Sequence, residues 1–436
     1  MRSALGGHRA RPRTRGGAPA RALAATITAG ALLLTGACGG SSASGDEDIT
    51  LSVGLFGDFG FEPLYRQFEQ AHPNVRIKER QATYDDHHTN LAAHIATGSG
   101  AADVEAIEVG YIGTYTAQPQ RFVDLRKYGA SSRQSEYLSW KWQQGVAANG
   151  AVIGLGTDVG GLALCYRRDL FAKAGLPADR EKVSALWPNW QAFLATGRRF
   201  AAKAPSGVKF VDGPGEFFRA MVAQAPEGVY DRQDKVVAAT NPAVKQAWDL
   251  STQMVSDGLS AKLTSFTPAW DTGFAKSSFA TVACPAWMMA YIQEHSPGSS
   301  GRWDIAAIPG GGGSAGGTHL TVPTQSKHQK EAAELVQFLS AAPQQEAVFK
   351  AIGNFPSLPA LYDKPEVRDY TNPFFNGAPV GKIYADSAKS LDPQHLGPAE
   401  GQVRAAIGNG LTRVDQGKQS PDQAWKQALD DVSKVK

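Results

Sequence analysis

Apolar and polar residues alternate along Ile49 to Phe56 (ITLSVGLF), the period-two pattern of a strand with one face buried. Pro63 to His72 (PLYRQFEQAH) follows with Leu64, Phe68 and Ala71 at helical spacing. Val75-Arg76-Ile77-Lys78 reads as a second strand, Tyr84 to Thr97 as a second helix capped by Asp85, and Asp103 to Glu108 (DVEAIE) as a third strand. Strand, helix, strand, helix, strand predicts a parallel sheet with helices on its faces, and such sheets bind ligands at the carboxyl ends of their strands. Those ends are Gly57-Asp58-Phe59 and Glu108-Val109-Gly110.

The pattern changes after Gly150 to Tyr166 (GAVIGLGTDVGGLALCY), two strand-like stretches parted by a glycine-rich turn that contains Asp158. Helical periodicity then dominates, over Asp169 to Ala174, Trp190 to Ala204, Pro242 to Asp257, Gln329 to Ser340 and from Ser420 to the end. Trp248 and Trp425 fall inside helices at core spacing and read as packing residues. Gly310 to Gly317 (GGGGSAGG) predicts a loop, and a strand pattern returns at Leu320-Thr321-Val322.

Length adds that one ordinary core is not enough: 436 residues suit two lobes of about 150 to 200 residues each. With 42% hydrophobic and 19% charged residues the chain groups with globular proteins. The formal charge of +3 is carried by six arginines before Cys38; beyond it 38 basic residues face 41 acidic ones. A slightly acidic body gives no electrostatic ground for nucleic-acid binding.

Those arginines precede an uncharged run, Ala22 to Ala37, too short for a spanning helix. Its end, Leu34-Thr35-Gly36-Ala37-Cys38, resembles a bacterial lipoprotein cleavage site, with Thr35 where leucine is usual. The reading is a signal peptide over 1–37, lipid on Cys38 and a Gly/Ser-rich tether over 38–48, which hangs the body on the extracellular face of the cell membrane; ordinary secretion with cleavage nearby is the other reading. Cys165 and Cys284 remain, and an even pair outside the cell permits a disulfide, while their apolar runs equally suit two buried thiols.

Several fragments resemble one family. Tyr166 to Pro177 (YRRDLFAKAGLP), Trp187 to Phe193 (WPNWQAF), Gly57 to Gly60 (GDFG), Phe279 to Trp287 (FATVACPAW) and Trp303 to Gly313 (WDIAAIPGGGG) are similar, in order and spacing, to the extracellular solute-binding proteins of sugar ABC transporters, the maltose-binding-protein-like group. Within it the chain looks closest to actinobacterial binders of cellobiose- or xylobiose-type sugars, except that Ser314-Ala315 stands where those commonly read Asn-Trp. The resemblance implies an α/β, two-lobed, periplasmic-binding-protein-like fold, each lobe a sheet flanked by helices, with a ligand cleft at the hinge. It implies lobe 1 over 49–152 and 310–340, lobe 2 over 153–309 and 341–436, and hinge crossings near Val152, Pro309 and Ala341. It also implies a monomer that hands an oligosaccharide to ABC permease subunits, with no cofactor and no catalysis.

A pyranose has an apolar C–H face and a rim of hydroxyls, so its site needs flat aromatics and carboxylates or amides. Trp287 matches the position where the family stacks a tryptophan on sugar, against the plainer reading of a core aromatic. Trp270-Asp271 places a ring beside a carboxylate in an expected loop. Asp58, Phe59 and Glu108 lie at strand ends, Asp158 enters the second lobe, and Asn354 offers an amide; helix caps and turn residues are the alternatives for these.

Competing chemistries are weaker. Asp85-Asp86-His87-His88 has the residue types of a metal cluster without an i, i+4 histidine pair, so no metal is expected. The glycine run lacks a following Gly-Lys-Ser/Thr; Gly312 to Gly316 (GGSAG) has G-x-S-x-G spacing, but it lies within a glycine run that predicts a loop and not a strand-to-helix turn, so no nucleophile elbow is expected. Carboxylates at strand ends would also serve a lipid-anchored glycoside hydrolase, which is the alternative function.

Overall fold

The computed structural model describes residues 48–390 and 394–435. The expected signal peptide, Cys38 and the tether short of Asp48 lie outside the described residues. In chain order the strands are β1 (Ile49–Leu55), β2 (Val75–Gln81), β3 (Val104–Glu108), β4 (Gly154–Gly156), β5 (Asp158–Val159) and β6 (Leu162–Arg167). They continue with β7 (Lys209–Val211), β8 (Phe279–Pro285), β9 (Trp303–Ala306), β10 (Thr318–Thr321) and β11 (Phe355–Pro356).

The first sheet has the order β2-β1-β3-β10-β4. Its first three strands are parallel, as the alternating strand and helix pattern predicts. It is not parallel throughout, because β10 arrives from far along the chain and runs antiparallel between β3 and β4. Leu51, Val53 and Leu55 of β1, with Val104 and Ala106 of β3, face one buried cluster. Ile107 faces another with Leu91 and Ile95 of the helix Tyr84–Thr97. That helix presents His87, His88, Leu91 and Ile95 as its buried stripe, the spacing of one helical face. Its N-cap is Thr83, whose side chain accepts from Asp86 N, not Asp85 as expected; Gly98 ends it in a left-handed conformation at φ 78°.

The second sheet has the order β7-β8-β6-β9, with β6 antiparallel to β8 and β9. Leu162, Leu164 and Tyr166 of β6 face one core while Ala163 and Cys165 face the other, so this sheet is covered on both sides. Cys165 and Cys284 sit on the same face of neighbouring strands with Cα atoms 5.3 Å apart and are joined as a disulfide. Trp248 is buried, and its ring lies 4.9 Å from that of Trp425, both in the core that packs on this sheet.

The chain passes between the sheets in few residues. β4 still pairs in the first sheet, so this passage lies at Thr157–Gly161 and not at the expected Val152. The return runs from β9 to β10 through the glycine-rich loop. Later the chain comes back as β11, which pairs with β5 between the two sheets. Among the described residues no helix is long and apolar enough to cross a membrane.

Candidate functional site

The strand ends of the first sheet and the helices of the second supply the polar and aromatic groups that meet beside the glycine-rich loop. Glu108 closes β3 and caps the helix Val109–Thr116: its Oε2 accepts from Gly110 N at 2.6 Å and from the Tyr84 hydroxyl at 3.1 Å. Its Oε1 is buried and has no hydrogen-bond partner. Burial pushes the Tyr84 phenol well up, so it stays a neutral donor. His88 holds this corner together, donating through Nδ1 to Tyr84 O at 2.8 Å and accepting Glu108 N on Nε2 at 3.2 Å. Burial lowers its pKa to about 3, in keeping with a neutral ring stacked 4.1 Å from Tyr111.

From the second sheet, Trp287 follows β8 and is half-buried; its Nε1 donates to Ala315 O of the glycine-rich loop at 3.0 Å. A Cβ built on Gly316 would lie 2.9 Å from that indole nitrogen and 3.8 Å from Glu108 Oε1, so the two groups from different sheets converge at this glycine. Phe266 stands over the same region with 43% of its surface exposed. Its ring is 6.0 Å from Trp287 and 5.9 Å from Tyr291, and 6.4 Å from Tyr84 across the boundary, nearly parallel to it. It holds φ at +63°, a conformation that costs a bulky side chain energy and recurs at ligand clamps. Arg219 pairs with Glu216 at 3.3 Å; that carboxylate, with Tyr84 and Glu108 adding to it, raises the guanidinium pKa.

The other expected residues lie in three further places. Phe59, Asp158 and Asn354 line one small cavity beside β5. Asp158 is buried; its Oδ1 accepts from the Thr157 hydroxyl at 3.0 Å and Thr318 N at 2.9 Å, and burial raises its pKa. Asp58 is exposed and accepts from Gly60 N at 2.8 Å, capping its own turn. Trp270 and Asp271 are not in a loop: they belong to the helix Pro268–Lys276, capped by Thr267 with proline in its first turn. Trp270 is fully buried and donates to Asp212 Oδ2 at 2.7 Å, behind Phe266 and Tyr291; it is a core ring under the site, not a surface of it. Asp271 accepts from the Tyr291 hydroxyl and sits 3.8 Å from His295 Nε2.

Residues 64–376 match the family model described as bacterial extracellular solute-binding protein. The chain belongs to that family. A solved structure titled extracellular solute-binding protein family 1 is 45% identical, covering 88% of this chain and 99% of its own, with a TM-score of 0.78. At 20% identity, the ABC transporter associated binding protein from B. animalis subsp. lactis Bl-04, in complex with beta-1,6-galactobiose, shares the fold at a TM-score of 0.76 over 88% of this chain and 97% of that one. The arabinooligosaccharide-binding protein of Bacillus subtilis (strain 168) is 24% identical over 380 residues, 82% of this chain and 84% of that protein. The two sheets are thus the two lobes of a periplasmic-binding-protein-like solute receptor. Such a receptor binds and releases its solute and is not an enzyme, so the hydrolase reading of the strand-end carboxylates is set aside.

Sequence reasoning missed Tyr84, Arg219, Phe266 and Tyr291. Tyr84 opens a helix that was read correctly, and its place beside Glu108 at a strand end is a signal that could have found it. Phe266 carries none, because a positive φ at phenylalanine leaves no trace in composition.

Proposed function

We propose that this solute-binding protein takes up an oligosaccharide between its lobes and delivers it to the permease subunits of an ABC importer. The observation that carries the reading is the convergence of flat rings and charged rim groups from both sheets: Tyr84 and Glu108 on one side, Phe266, Trp287 and Arg219 on the other. Rings match the C–H faces of a pyranose, and ionised side chains match its hydroxyls. Relatives named for arabinooligosaccharide and a fold neighbour complexed with beta-1,6-galactobiose support a sugar of more than one unit.

Within that class we favour a β-linked cello- or xylo-oligosaccharide, on the sequence motifs around Trp287 and Tyr166 to Pro177. Phe59, Asp158 and Asn354, around their own cavity, are proposed as a second set of contacts, and Asp58 as a rim group. The protein is proposed to work as a monomer, lipid-anchored through Cys38 on the outer membrane face. Calorimetric titration with cellobiose, xylobiose, arabinobiose, β-1,6-galactobiose and maltose tests the reading. Saturable heat with one or more of these, and unaltered sugar on chromatography afterwards, is the expected result. Steady release of monosaccharide would restore the hydrolase reading.

A further inference from the structure

Buried polar atoms in folded proteins are almost always paired, so two orphans in one place call for an explanation. Lys141, on the short helix Ser139–Gln144, is 1% exposed and its Nζ has no hydrogen-bond partner; Glu108 is 5% exposed and its Oε1 has none either. The two atoms approach the same pair of glycines. A Cβ on Gly317 would lie 3.0 Å from Lys141 Nζ, and one on Gly316 3.8 Å from Glu108 Oε1 and 2.9 Å from Trp287 Nε1. Both glycines hold positive φ, +93° at Gly316 and +116° at Gly317, and a Cβ at either would crowd the indole or the ammonium, so glycine is required where the two orphans and Trp287 meet.

One orphan is a donor and the other an acceptor. A sugar hydroxyl offers an acceptor lone pair and a donor proton from one oxygen, and so can take the place of the water that otherwise bridges such a pair. We propose that Lys141 and Glu108 form a subsite for one sugar hydroxyl beside Trp287, the ammonium donating to its oxygen and Oε1 accepting its proton in a hydrogen bond. Lys141 is then a specificity-determining residue of the cleft, and the inference rests on the sugar-binding reading above. The rival is that Lys141 is a structural counter-ion for Asp158 and Glu108. Asp158 is already served by Thr157 and Thr318. Asp158 and Glu108 both favour the charged ammonium, but burial is the larger effect and lowers the Lys141 pKa to about 8. In the free protein burial of this ammonium costs the fold, and a ligand hydroxyl that accepts from it would offset that cost.

Lys141→Met keeps the stem and removes the charge; Glu108→Gln keeps the shape and removes the carboxylate. Each is melted without ligand and titrated with cellobiose, xylobiose, arabinobiose, β-1,6-galactobiose and maltose beside the wild type. The expected result for Lys141→Met is a melting temperature equal to or above wild type, with affinity for the bound sugar reduced about ten- to hundredfold, the range for a hydrogen bond to a charged group. Glu108→Gln is expected to lose affinity within the same range. A melting temperature several degrees lower for Lys141→Met identifies a counter-ion and overturns the subsite, as does unchanged affinity in a variant that melts normally. A wild type that binds none of the five sugars fails the sugar-binding reading itself and takes the subsite with it.

Discussion

Two tryptophans that look alike in the sequence have opposite environments. Trp287 is half-buried at the meeting of the lobes, while Trp270 has no exposed surface and its indole N–H is spent on the buried carboxyl group of Asp212. Stacking on a pyranose adds about 1 kcal/mol beyond burial, and covering roughly 80 Å² adds about 2 more. Trp287→Ala is therefore expected to weaken sugar binding by about 3 kcal/mol, more than a hundredfold by calorimetry, with little change in melting temperature. Trp270→Ala is expected to cost about 3 to 5 kcal/mol of stability in denaturant titration, because a filled core site is emptied. Asp212, its partner, adds a pH signature. Burial raises this carboxyl from the ordinary value near 3.8 to about 7, so the folded state keeps a proton that the unfolded chain releases. Its contribution to stability is therefore greatest below about pH 4 and declines as the pH rises to about 7. Asp212→Asn cannot lose that proton. Relative to wild type it should gain on the order of 3 kcal/mol between pH 4 and 7 and nothing further above, as read from urea midpoints at several pH values; a flat difference would show that Asp212 is ionised throughout.

At the scale of elements, what the sequence disclosed depended on length and locality. β1, the helix Glu62–Ala71, β2, the helix Tyr84–Thr97 and β3 were legible within a few residues, because each carries several apolar positions at one period. β5 and β11 have two residues each and pair with each other across nearly two hundred positions, so no local period marks them, and the passage between sheets was misplaced at Val152. The place of β10 within the first sheet is likewise a non-local fact. Trp270 differs for another reason: Thr267 followed by Pro268 is a helix-start signal, and it sets the ring and the acid after it on a helix and not in a loop. Of the expected site, Glu108 and Trp287 do converge, since strand ends and the residues just after them are set by topology. Phe266 depends on one backbone angle, and Arg219 on a helix of the other lobe. The disulfide acts at this scale too. It links β6 to β8 across a sequence separation of 119, and the chain-entropy account assigns a loop of that size about 4 to 5 kcal/mol. Replacing both cysteines with alanine in the mature chain should lower unfolding free energy by up to that amount. A change below about 1 kcal/mol in guanidinium titration would mean that the unfolded chain is already restricted without the link.

Over the whole molecule, the cleft groups come from sheets that share chain only at a few passages, yet one buried cluster contains residues of both lobes, such as Val53, Val104, Cys284 and Ile305. A solute held between Tyr84 and Glu108 on one side and Trp287 and Phe266 on the other binds the folded form and loses its site when either lobe opens. Mass action then stabilises the protein by about 2.7 kcal/mol at a free sugar concentration one hundred times Kd. Unfolding entropy grows with chain length, so for a body near 390 residues this amounts to an upward shift of about 3 °C, smaller than a short domain would show. The shift should rise with the logarithm of sugar concentration and fall to about 0.5 °C or less in Trp287→Ala at the same concentrations. If one lobe melts separately at an unchanged temperature while the other shifts, the sugar is held by that other lobe alone. In that case the contacts assigned to the opposite side of the cleft, Tyr84 and Glu108 or Phe266 and Trp287, do not carry binding.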